Sequence, residues 1–196
     1  MTPTPFFEDQ TNVDKYIASC EGCDGYHLVD TLVSECKVQG VDTAASSVLE
    51  LGSGPGTDGK YLSSFFKDTL LSDHSSLFVK RLQSLGLSAV TVDASDINLP
   101  PASRDVVFSN KVLQHLDFPS FRASFQSQHR LLKEGGLACH SLWYGTDSMM
   151  TGTLLHQYHT EETLATAIKG LFTVVSMHRY EEFEPEDSMV VVLKRV

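Results

Sequence analysis

The run Val48-Leu49-Glu50-Leu51-Gly52-Ser53-Gly54-Pro55-Gly56-Thr57-Asp58 constrains this chain more than any other stretch. A short apolar segment ends in a turn with three glycines, and a helix-compatible segment follows. Glycine reaches positive φ freely and lets the backbone approach a ligand with no Cβ in the way. Such a turn cradles nucleotide-like ligands at the carboxyl edge of an open α/β sheet. A dinucleotide G-x-G-x-x-G fingerprint would require glycine at position 57, where Thr57 stands. Glu50 precedes the turn, and a negative charge there suits a cationic ligand better than a pyrophosphate.

The rest of the chain repeats the strand–helix rhythm. Apolar runs at Ser47–Leu51, Thr69–Ser72, Ala89–Val92, Asp105–Ser109 and Leu137–Leu142 read as buried strands. Between them, Asp58–Lys67, Ser75–Leu85 and Pro119–Leu132 carry helical spacing, the last stopped by Glu134-Gly135-Gly136. Alternation with short connections implies a parallel sheet with helices on both faces. A helix follows near Thr160–Lys169, and Leu171–Tyr180 and Ser188–Val196 read as an antiparallel hairpin around the acidic turn Glu181–Asp187. Ahead of the first strand, Asn12–Cys20 reads as a helix able to act as a lid. Gly25–Cys36 reads as one whose Leu28, Leu32 and Cys36 pack on the sheet. The expectation is an α/β three-layer sandwich with a mostly parallel seven-stranded sheet. It forms one domain over 1–196, with 1–45 as a helical cap.

Polar residues end four consecutive strands: Glu50, Asp73, Asp93-Ala94 and Ser109-Asn110. In this topology Asp73 lies where a carboxylate accepts from ribose hydroxyls. These segments resemble the motifs of class I S-adenosylmethionine-dependent methyltransferases: E-x-G-x-G-x-G at Glu50–Gly56, the acid Asp73, and Asp93-Ala94. The strand Asp105–Ser109 with Asn110–Leu116 resembles the fourth motif, and Leu131–Leu137 the turn before strand five. The resemblance, over roughly 45–196, implies S-adenosyl-L-methionine as cofactor and S-adenosyl-L-homocysteine as product. It puts Gly52, Ser53, Gly54 and Gly56 along the methionine side, with Glu50 at the strand end. Asp73 falls at the ribose, Asp93 and Ala94 at the adenine, and Ser109 and Asn110 near the sulfonium. His74 stands where many members carry an apolar residue that stacks on adenine.

Each residue also has a plain structural reading. Glu50 could cap backbone groups, Asp73 could start a helix, and Asp93 could be a turn residue. His115 is either a general base beside the methyl-transfer position or a packing histidine. Trp143, Tyr144, Tyr158, His159 and Tyr16 are candidates for the substrate pocket, with core or lid packing as the alternative.

Composition narrows the partners. A net charge of −10 with only 15 basic residues weighs against nucleic acid and anionic membranes. No apolar run reaches the length of a membrane span, and the start has no basic, apolar signal pattern, so a cytoplasmic protein is expected. Cys20 and Cys23 have C-x2-C spacing without a second half, so no metal is expected. Methyl transfer to a small-molecule acceptor by in-line displacement is therefore the expected activity. A non-catalytic cofactor-binding module and a nicotinamide-dependent oxidoreductase stand as alternatives, the latter disfavoured by Thr57. No stripe or heptad marks an oligomer interface.

Overall fold

The computed structural model describes residues 5–196. Its strands are β1 (Ser47–Leu51), β2 (Asp68–Asp73), β3 (Ala89–Thr91), β4 (Arg104–Asn110), β5 (Leu132–Trp143), β6 (Ser148–Thr151), β7 (Leu154–Gln157), β8 (Phe172–Tyr180) and β9 (Ser188–Arg195). Its α-helices are α1 (Gln10–Ser19), α2 (Tyr26–Val38), α3 (Thr57–Leu62), α4 (Ser76–Ser84), α5 (Phe118–Leu131) and α6 (Glu161–Ile168). Seven strands make one sheet in the order β3-β2-β1-β4-β5-β9-β8. β1 to β5 run parallel, while β9 pairs antiparallel with both β5 and β8. The order reverses between β1 and β4, so their carboxyl ends diverge and leave a crevice there.

Strand periodicity sorts the core into two layers. Val48, Val106, Phe108, Leu137 and Cys139 face one side, where they bury Leu28, Val29, Leu32 and Cys36 of α2. Leu49, Leu51, Val107, Ala138 and Leu142 face the other, against Phe121 and Phe125 of α5 and Leu164 and Ile168 of α6. The three layers and the sheet-packed second helix agree with the sequence expectation.

Three local features differ from it. Helix α3 stops at Leu62, because the chain must turn back through Phe66 to enter β2. Gly135 does not cap α5. β5 begins directly at Leu132, and Lys133–Gly136 bulges out opposite the single residue Asp105. Lys133 Nζ reaches back across the bulge to the Asp105 carboxylate at 2.8 Å. The third difference is the hairpin β6–β7, which forms a separate two-stranded sheet. Its strands are four residues each, and β6 is exposed throughout, so neither shows the apolar alternation that marks a strand in sequence.

Candidate functional site

β1 delivers the chain to the glycine loop at the crevice. Gly52 has φ +63°, and a Cβ there would stand 2.5 Å from the Val112 side chain. Only glycine lets this loop lie against the turn after β4. Gly56 (φ +92°) then starts α3 as its N-cap. Asp73, at the end of β2, locks the loop in place. Its Oδ2 accepts the Gly54 N–H at 2.9 Å and its Oδ1 accepts the Ser75 N–H at 2.9 Å. Ser75, not Asp73, caps α4, accepting from the Leu77 and Phe78 N–H groups. Burial pushes the Asp73 carboxyl up, against the two backbone donors that pull it down. Each of its oxygens keeps a further lone pair.

A cavity of about 400 Å³ lies over this frame. Gly52, Gly54 and Asp73 form its floor, and His74, Val92, Asp93 and Ala94 its β2–β3 side. Asn110, Val112, His115 and Leu116 form the β4 side, while Phe7, Tyr16 and Leu154 cover it. The cover is anchored. The Ser75 hydroxyl donates to the Phe7 carbonyl at 2.5 Å, and Glu8 receives the Ser76 N–H at 2.6 Å, a carboxylate at a helix N-terminus. Phe7, Tyr16 and Phe78 then meet edge to face, with Tyr16 at 5.1 Å from Phe7 and 6.0 Å from Phe78.

Of the residues singled out in the sequence, Gly52, Gly54, Asp73, His74, Asp93, Ala94, Asn110, His115 and Tyr16 line this cavity. Tyr16 does so from the cover above Gly54, not from a separate acceptor pocket. On Asp93, burial pushes the carboxyl up, but the Ser95 N–H and hydroxyl outweigh it and hold it below the usual carboxylate range. Burial lowers the His115 pKa, so its imidazole is neutral at pH 7. Its Nδ1 lies 2.7 Å from the Leu155 carbonyl of the β6–β7 hairpin.

The other expected residues do not line the cavity. Glu50 is 3% exposed beneath the loop, its Oε2 without a hydrogen-bond partner and against Gly59. Burial lifts its carboxyl to about 8, a rise the Ser53 hydroxyl only partly offsets. It is therefore largely protonated near neutrality and does not carry the charge expected of it. Ser53 braces the loop to β2 through Ser72, with the Ser53 N–H on the Ser72 carbonyl at 2.8 Å. Ser109 shares its strand face with Val107, so it points toward α5 and bonds His140 Nδ1 at 2.8 Å. His159 is 1% exposed and stacked on Phe121 with centroids 3.9 Å apart. Tyr144 lies under the Arg179 guanidinium. Trp143 stacks on Tyr158 and Phe183 beyond the cleft.

Sequence reasoning missed Asp58, the cover residue Phe7, and Leu154. Asp58 Oδ1 accepts the Gly25 N–H at 2.7 Å and its Oδ2 accepts from Asn110 Nδ2 at 2.9 Å. It thus joins the start of α2, the glycine loop and the end of β4. Its place two residues past Gly56 was the only signal available.

The crevice at the strand-order reversal, the glycine cradle and the acid at the end of β2 define a Rossmann-like, ligand-binding α/β protein. Residues 49–140 match the family model described as a methyltransferase domain. The fold is shared by a S-adenosylmethionine-dependent methyltransferase from Clostridium acetobutylicum at TM-score 0.74 and 15% identity, covering 95% of this chain and 99% of that one. A TehB-like S-adenosylmethionine-dependent methyltransferase from Corynebacterium glutamicum superposes at TM-score 0.73 with 17% identity, covering 96% and 100%. One from Listeria monocytogenes, described as a putative S-adenosylmethionine-dependent methyltransferase, does so at 0.66 with 18% identity, covering 83% and 97%. No curated protein matches in sequence. Residues 49–140 thus resemble the methyltransferase domain family, and the chain has the fold shared by these S-adenosylmethionine-dependent methyltransferases. Among the described residues, no helix is long and apolar enough to cross a membrane.

Proposed function

We propose that the protein is an S-adenosylmethionine-dependent methyltransferase that acts on a small-molecule acceptor at the roofed cleft. It does so as one domain of residues 1–196, with 1–45 as the cap. The observation that carries this reading is the cavity itself. At about 400 Å³ it lies near the lower end of the roughly 300–1,000 Å³ typical of ligand sites. The cofactor takes up much of that volume, so an acceptor reaching it beneath the Phe7, Tyr16 and Leu154 cover is compact and not a polymer strand.

The cleft residues fit S-adenosylmethionine. The floor is bare of side chains where Gly52 and Gly54 lie, and Asp73 keeps lone pairs suited to ribose hydroxyls. Asp93 and Ala94 suit the adenine end, and Asn110 the end nearest β4. Asp73 and Asp58 make no ion pair with Lys or Arg among the described residues, which suits a cationic ligand. When bound, the cofactor supplies a methyl group on a good leaving group, displaced in line.

The protein's contribution is then chiefly to orient and to exclude water, which supplies roughly 7–11 kcal/mol in favourable cases. Because a carbonyl only accepts, His115 carries its proton on Nδ1 toward Leu155 and keeps a lone pair on Nε2. Nε2 is not among the buried unpartnered atoms, which supports its opening on the cleft. A neutral imidazole there can take a proton from an acceptor O–H or N–H, worth about 10²–10⁴-fold.

Calorimetry with S-adenosylmethionine, S-adenosylhomocysteine and NADH tests the site. Both sulfur cofactors should bind at micromolar concentration, Asp73→Ala should abolish that binding, and NADH should give no heat. Binding that survives Asp73→Ala would refute the ribose assignment. Turnover to S-adenosylhomocysteine with a fractionated metabolite pool then identifies the acceptor. Activity only on macromolecular fractions would overturn the small-molecule reading.

A further inference from the structure

We propose that Lys111 is a positioning residue: clamped at both ends, it holds the left-handed turn that aims the Asn110 carboxamide into the cleft. The proposal rests on the reading that Asn110 faces the bound cofactor.

Lys111 has φ +53°, a conformation unfavourable for any residue with a side chain. Two other non-glycine residues share the left-handed region among those described, Ala102 and Glu186, and neither lines the cleft. Strain of this kind persists only where the surroundings over-determine it, and here they do. The Lys111 N–H donates to Ser141, to its carbonyl at 3.2 Å and its hydroxyl at 3.0 Å. The side chain then reaches past the end of β5. Its ammonium donates to the Leu142 carbonyl at 3.3 Å and the Ser188 hydroxyl at 2.5 Å, and lies 3.7 Å from the Glu182 carboxylate. It also sits 3.8 Å from the centre of the Trp143 ring and 5.1 Å from that of Tyr180, a cation over aromatic faces.

The residue is thus held to β5, β9 and the acidic turn at once, with its side chain 14% exposed. Burial lowers the ammonium pKa to about 8, with Glu182 and Asp187 opposing, so most of it remains charged at pH 7.

What the clamp fixes is the orientation of its neighbours. Asn110 Oδ1 accepts the Ser141 hydroxyl at 2.6 Å, the same hydroxyl oxygen that receives the Lys111 N–H. Its Nδ2 donates to Asp58. On the other side, Val112 fills the space a Cβ on Gly52 would need. Releasing Lys111 frees the turn to leave the left-handed region. Ser141 and Asn110 then lose their shared geometry, and Val112 moves off the glycine loop. Lys111 borders the cleft, but its ammonium is held by Leu142, Ser188 and Glu182, so it acts through these groups.

The test is a double-mutant cycle on the full chain, with S-adenosylhomocysteine as probe and calorimetry as readout. Lys111→Met and Asn110→Ala should each weaken binding about tenfold, the scale of one oriented hydrogen bond. The double variant should be no weaker than the weaker single one. Unchanged affinity in Lys111→Met, or losses that multiply in the double variant, would overturn the proposal. A merely structural role would lower the melting temperature and leave affinity intact, which also overturns it.

A second readout needs no ligand. The Asn110 side-chain amide resonances in a ¹⁵N spectrum should move in Lys111→Met, and in the same direction, by less, in Glu182→Gln. Glu182→Gln is a partly exposed change that also serves if Lys111→Met fails to fold. Resonances that stay in place in both variants would sink the idea. If S-adenosylhomocysteine does not bind even the wild type, the cofactor reading fails, while the resonances still decide the role of Lys111.

Discussion

Glu50 illustrates how burial changes what a residue type means. Its position before the glycines is legible in sequence, but its protonation state is not, because that depends on the α3 backbone laid over it. The folded-state pKa of about 8 exceeds the usual 4.5, so the folded protein binds a proton that the unfolded chain has lost between those pH values. Stability from this group is therefore full below about pH 4.5 and is lost as pH rises through 8. Glu50→Gln should remove that dependence. Urea denaturation should find the variant gaining on wild type from pH 5 to pH 9, by on the order of a few kcal/mol. A constant difference across that range would refute the buried, protonated carboxyl. Asp73, in contrast, lies where its place in the sequence puts it, at the end of β2 on the cavity floor, because a strand-end acid in this topology has few other positions to occupy.

At the scale of elements, the cleft depends on pieces far apart in sequence. The N-terminal segment reaches α4 through Glu8 and Ser76. Carboxylate capping and helix-dipole contacts of this kind contribute about 0.5–2 kcal/mol. Glu8→Ala should therefore speed hydrogen exchange across α1 while leaving the β4 and β5 amides as slow as before, since the sheet does not depend on the cap. Equal loosening of the sheet would show that the cap is part of the core. The β6–β7 hairpin makes the same point from the other end of the chain. It fixes the His115 tautomer through a backbone carbonyl, a group every residue carries, so no residue identity could announce it. The register bulge at Lys133–Gly136 was hidden for a similar reason. Two glycines after a helix read as a stop, and only pairing with β4 shows them to be a bulge.

At the scale of the whole molecule, the sheet separates two apolar layers that must both close. Phe108 lies fully buried against α2, and Phe125 fully buried on the opposite side. Phe108→Ala and Phe125→Ala should each cost about 3–5 kcal/mol, a large share of the roughly 5–15 kcal/mol that holds an ordinary domain folded. With the sheet between them, the two losses should nearly add in denaturant midpoints. Strong non-additivity would mean that the layers communicate through the strands.

The sequence by itself determined the strand–helix alternation, the parallel sheet with its antiparallel closure, and the glycine loop with the acids at the ends of β2 and β3. These follow from periodicity, glycine and strand-end position, which are local properties of the chain. Tertiary structure alone decided that Ser109 turns from the cleft while Asn110 enters it. It alone took His159 into the core, neutralised Glu50, and made Asp58 and Lys111 part of the frame. The reason is common to all of them. Which face a side chain takes, how much water reaches it and which partner it meets are set by elements packed from distant parts of the chain.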